Sequence, residues 1–114
     1  MNMPRMIAMC LALLCAASGA AQPPDPWQAI DREMQALAAV IERGDLAEVH
    51  HHAFAVRDLV RALPLRTPAD QANVKYVDQL AVRLDRAGDA GDRPGCDSNL
   101  AKLKAVLAGL RTHR

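Results

Sequence analysis

Asp45-Leu46-Ala47-Glu48-Val49-His50-His51-His52-Ala53-Phe54-Ala55-Val56-Arg57-Asp58-Leu59-Val60-Arg61-Ala62-Leu63 is the stretch whose reading decides the fold. Its apolar residues fall at Leu46, Val49, Ala53, Val56, Val60 and Leu63, alternating steps of three and four. That spacing puts them on one stripe of an α-helix. The three histidines flank the stripe without interrupting it.

Reading outward, the same pattern recurs three more times. The first helix carries Trp27, Ile30, Met34, Leu37 and Ile41, opened by Asp25 as N-cap and Pro26 at the first helical position. Gly44 closes it, and Asp45-Leu46-Ala47-Glu48 reads as a capping box that starts the second helix. Pro64 ends the second helix, and Thr67-Pro68-Ala69-Asp70 starts the third. Val74, Val77, Ala81 and Leu84 form the third stripe, and Gly88 reads as its stop. Asp92 or Asp97 caps the fourth helix, whose stripe is Leu100, Leu103, Leu107 and Leu110. Val40, Leu59, Leu80 and Val106 each precede a stripe position and widen the apolar face, as globular helices require. His52 occupies that same third position. No segment of useful length alternates like a strand.

At an offset of 47 residues, Gly44-Asp45 falls on Gly91-Asp92 and the stripes fall into register. The expected fold is all-α, an antiparallel up-down-up-down four-helix bundle built as two copies of one helical hairpin.

The first 21 residues read as a secretory signal. Arg5 supplies the positive start, Met6 to Ala17 is an apolar run of 12 residues, and Ser18 to Ala21 supplies small residues for cleavage. The run is too short to span a bilayer, which takes ~20 residues. Residues 1–21 are therefore assigned to the signal and 22–114 to one bundle domain. The expected compartment is the periplasm, with no stable membrane insertion after cleavage. Cleavage would remove Cys10 and Cys15, leave Cys96 as a lone thiol, and leave 13 basic against 13 acidic residues. A neutral chain offers no basic excess for nucleic acid.

Chemistry concentrates at the histidines. Neighbours on a helix point ~100° apart, so His50, His51 and His52 cannot fan onto one ion as a simple tag. Glu48 and His52, at i and i+4, can share one. The third turn is expected at the same end of the bundle as the first, which brings Cys96 and Asn99 toward that pair. Glu48, His52 and Cys96, with His50 and His51 beside them, form a candidate site for Cu or Zn, since thiolate with imidazole suits a soft or borderline ion. The plainer alternatives are solvated histidines on a polar helix start and a small buried cysteine acting as a hydrophobe. Haem is not expected: there is no Cys-x-x-Cys-His, and Met34 reads as core filler. Catalysis is not expected either. Without its signal the chain has a single serine, Ser98, and no glycine-rich phosphate loop. Phe54, one residue past a stripe position, is expected to point outward beside His50, His51, Asp58 and Arg61 as a partner-docking residue.

The pattern from Gly44 to Pro64, followed by a helix, then Asp85-Arg86-Ala87-Gly88-Asp89-Ala90-Gly91-Asp92 and the Leu-rich stretch from Leu100 to Leu110, resembles small exported helical proteins of proteobacteria found alongside heavy-metal efflux systems. The resemblance implies a periplasmic bundle with a role in metal tolerance and a component of a metal-efflux system as partner. The expected function is a metal-responsive accessory or metal-binding protein. The alternative is a non-catalytic helical interaction module without a ligand.

Overall fold

The structure, a computed structural model, describes residues 25–65 and 67–112. The expected signal and its cleavage site, with Cys10 and Cys15, lie outside the described residues. Four α-helices follow one another: α1 (Pro26–Glu42), α2 (Val49–Arg61), α3 (Pro68–Asp89) and α4 (Arg93–Thr112), with a short 3₁₀ turn, Leu46–Glu48, leading into α2. No strand occurs among the described residues, and no helix there is long and apolar enough to cross a membrane.

The helix starts follow from their caps. Asp25 Oδ1 accepts from the Trp27 N–H at 3.0 Å, with Pro26 first in α1. Thr67 Oγ1 accepts from the Asp70 N–H at 3.1 Å, with Pro68 first in α3. For α4 the choice falls on Asp92, whose Oδ1 accepts from the Gly95 N–H at 3.0 Å.

The two Gly-Asp turns share one backbone design. Asp45 N–H donates to the Val40 carbonyl at 2.8 Å and Gly44 N–H to Ile41 at 3.0 Å; Asp92 donates to Ala87 at 2.8 Å and Gly91 to Gly88 at 3.1 Å. Gly44 and Gly91 take φ of 76° and 67°, the left-handed conformation that closes a Schellman motif. The copies diverge immediately afterwards. Asp92 caps α4 directly, whereas Asp45 makes no side-chain cap and the chain spends Leu46–Glu48 in a 3₁₀ turn before α2 begins. The expected capping box at Asp45 is thus replaced by a tighter turn.

Gly88 is not the stop of α3. The helix runs through it to Asp89, and Gly91 takes the terminal conformation. Gly88 instead admits the Leu46 carbonyl: a Cβ there would sit 2.7 Å from Leu46 O and 3.1 Å from Val49 Cβ. The two turns therefore meet at one end of the molecule, where Arg93 Nη2 also donates to the Glu42 carbonyl at 3.2 Å.

The stripes form one continuous core. Leu37, Val56, Leu84 and Leu103 are completely buried, together with Ile30, Val49, Val60, Val77 and Leu80. Leucine, valine, isoleucine and alanine supply almost all of it, as the single Trp, Tyr and Phe require. α1 packs on α2, α2 on α3 and α3 on α4 along their lengths, while α1 and α4 touch only sparsely.

Candidate functional site

The histidine turn is organised by the 3₁₀ segment. Residues i and i+3 are neighbours on a helix surface. Glu48 closes that segment and pairs with His51, Oε2 to Nε2 at 3.5 Å, rather than with His52. His50 turns back to its own helix start, with Nδ1 2.9 Å from the Ala47 carbonyl. Its ring lies 4.0 Å from that of His51, tilted by 35°.

His52, half-buried at the third position of its face, crosses to α1 and meets Glu33, Nδ1 to Oε2 at 2.9 Å. The sequence offers no local signal for this pair, because its partners are 19 residues apart and on different helices. It is an interhelical polar tie at the margin of the core.

Cys96 does lie at the end where the two turns meet, but its side chain is entirely buried. Burial pushes its thiol above the ordinary range, and the carboxylates of Asp92 and Asp97 push in the same direction. A thiol so placed is held protonated, the reverse of a reactive or metal-ready thiolate. Asn99 Nδ2 donates to the Gly95 carbonyl of its own helix at 2.8 Å. Glu48 thus turns to His51, His52 to Glu33, and Cys96 into the core, so the three do not converge. Among the described residues no group of three His, Cys, Asp or Glu side chains comes together to hold a metal ion.

Phe54 differs from its expected outward placement. It is half-buried and packs against the core, with the Arg57 guanidinium 4.5 Å from its ring centroid. Arg57 in turn donates to Asp58 at 3.0 Å. The aromatic is covered by a stacked cation rather than presented to solvent.

The feature that the sequence reading missed is a groove along the α1–α4 seam, with a volume of about 530 Å³. Ile30, Met34 and Ala38 of α1 and Leu107 and Ala108 of α4 make its apolar walls. One end is closed by a clamp. Arg111 Nη2 donates to Asp31 Oδ1 at 2.7 Å, and the same guanidinium stacks 4.5 Å over the ring of Trp27. Gln35 stands on the α1 rim and Lys104 on the α4 rim. Met34, expected to fill the core, is half-buried here and lines the groove. The legible hint was its unbranched thioether between Ile30 and Leu37, a residue type suited to adaptable surfaces.

No protein family, curated protein or solved structure that was compared matches this chain.

Proposed function

We propose that the chain is an exported, antiparallel four-helix bundle that works by docking a partner, without catalysis, and that the α1–α4 groove is the docking site. One observation carries the reading. A groove of about 530 Å³ with apolar walls lies along the one neighbouring helix pair that is sparsely packed, while the core beneath is complete. An apolar concavity with a few convergent polar groups is the default binding site of a small domain. The antiparallel arrangement is supported by two ties between α1 and α4 that run in opposite chain directions: Asp31 with Arg111, and the Glu42 carbonyl with Arg93. Export is supported by the apolar 12-residue run and its small-residue exit.

Site-specific photo-crosslinking in the cells that make the protein tests the docking reading. A photoreactive residue at Met34 or Ala108 should give one discrete adduct, and one at Val82, on the exposed side of α3, should not. Adducts at Val82 alone, or none at either groove position, would remove the groove from consideration.

Metal handling in heavy-metal tolerance is the second reading. Glu48 and His51 at 3.5 Å, with the His50 ring stacked beside them on one turn, favour it. In this reading Cu or Zn binds the exposed turn, and the partner is a periplasmic component of a metal-efflux system. Native mass spectrometry of the exported chain with each ion tests it. The His51→Ala variant should lose more affinity than His52→Ala, because His52 is engaged by Glu33. Absence of a bound ion at micromolar concentrations would end this reading and leave the groove reading intact.

A further inference from the structure

The groove's shape and charge specify its occupant further, given that it is a docking site. Its length from Trp27 to Ala38 is about 17 Å at ~1.5 Å per residue, some three helical turns. It is open along its outer side, so it can bury one face of an object but cannot enclose it. Small-molecule sites cover roughly 70–90% of their ligand. A trough open on one side suits instead an amphipathic helix, which needs to bury only a stripe about 100° wide.

The rims are not equivalent in charge. On the α1 side, Gln35 is neutral and Asp31 is already paired with Arg111. On the α4 side, Arg111 is held in the end clamp, while Lys104 is exposed and makes no ion pair or hydrogen bond among the described residues. The groove therefore presents one available cation, Lys104, set beside an apolar floor at the end of its α4 rim away from the Arg111 clamp.

We infer that the groove takes an amphipathic helix of a partner protein, with apolar residues at i, i+3 or i+4, and i+7, and a carboxylate beside them facing Lys104. The helix enters from the Ala38 end and stops against the Trp27–Arg111–Asp31 clamp. Met34 supplies the adaptable surface against which its apolar side chains pack.

Selection of displayed 14-residue helical peptides on the exported chain, with counter-selection on an Ala108→Arg variant that blocks the groove, tests this. Ala108 and Lys104 are both exposed, and circular dichroism checks that each variant keeps its fold. The enriched peptides should share the apolar spacing and one Asp or Glu. Binding of a representative peptide should fall at least tenfold with Lys104→Glu and return when the peptide's acid is exchanged for Lys. Groove-dependent binders that lack an acid and ignore Lys104→Glu would overturn the inference while leaving the docking reading standing. Failure to enrich any groove-dependent peptide would overturn both. Dodecanoate displacing the selected peptides and alone saturating the groove at micromolar concentration would assign the site to small anionic amphiphiles and also overturn the inference.

Discussion

Gly88→Ala and Gly109→Ala are the same chemical change in the last turns of α3 and α4, and the structure sets them apart. In an unconstrained helix the change stabilises by about 1 kcal/mol, because glycine loses the most backbone entropy on folding. At Gly109 a Cβ would meet nothing within 4 Å, so a gain of up to that size should appear. At Gly88 the same atom would lie 2.7 Å from Leu46 O and 3.1 Å from Val49 Cβ, where ordinary contact starts near 3.4 Å. Leu46 O is a backbone atom in the 3₁₀ turn and Val49 is completely buried, so neither yields without moving the α2–α3 contact. Overpacking of this kind costs about 1–3 kcal/mol; because the 2.7 Å contact is with a backbone oxygen, the cost falls in the upper part of that range and exceeds a helix-propensity gain of at most about 1 kcal/mol, leaving net destabilisation of about 1–2 kcal/mol. Urea and thermal unfolding of both variants measure the difference. For a domain of this size each kcal/mol moves Tm by roughly 4–8 °C, so the two melts should separate in opposite directions from wild type. If Gly88→Ala stabilises as much as Gly109→Ala, the close approach of the first turn to α3 is refuted.

Other expectations follow from single residues. Leu103→Ala should destabilise by about 2–5 kcal/mol in urea melts, since it opens a cavity at a fully buried position. Asp92→Ala should cost about 0.5–2 kcal/mol and Asp45→Ala distinctly less, because of the two turn aspartates only Asp92 caps its helix with its side chain. Because the folded thiol of Cys96 is raised above its unfolded value, its protonated form favours the folded state. Stability should hold below the ordinary thiol range and decline as pH rises through that range toward the folded value, and Cys96→Ala should flatten the decline in pH-dependent melts. Alkylation of Cys96 at neutral pH should track global unfolding, read by mass spectrometry in increasing urea.

Helix number, the starts of α1 and α3, and the core were legible because they are local. Steps of three and four place Leu37, Val56, Leu84 and Leu103 on inward faces whatever the partner, and Asp25-Pro26 and Thr67-Pro68 carry their own capping chemistry. At the 47-residue offset both Gly-Asp turns take the same Schellman geometry. What escaped depends on distances between helices. Gly88 looks like a terminator in sequence, yet its function is to admit a carbonyl from 42 positions earlier. Helical spacing alone pairs His52 with Glu48, but Glu48 meets His51 at i+3 and His52 crosses to Glu33 on another helix. Phe54 looked outward by angle alone, and Arg57 covers it. The groove arises from how loosely the first and last helices approach, which no spacing within either helix encodes.

Trp27, the single tryptophan of the chain, sits at the closed end of the groove and reports on it directly. Titrating the folded chain with an apolar anilinonaphthalene dye, while exciting Trp27 and reading dye emission, is the most direct test that an open apolar seam separates α1 from α4. Such dyes also bind loosely packed states, so a sharp, cooperative melt of the same sample is the required control. The expected result is saturable one-to-one binding with energy transfer from Trp27, abolished by Ala108→Phe, which fills the groove, and unchanged by Val82→Ala on α3. A native chain that binds no dye, or binds it equally with the groove filled, would contradict the open seam.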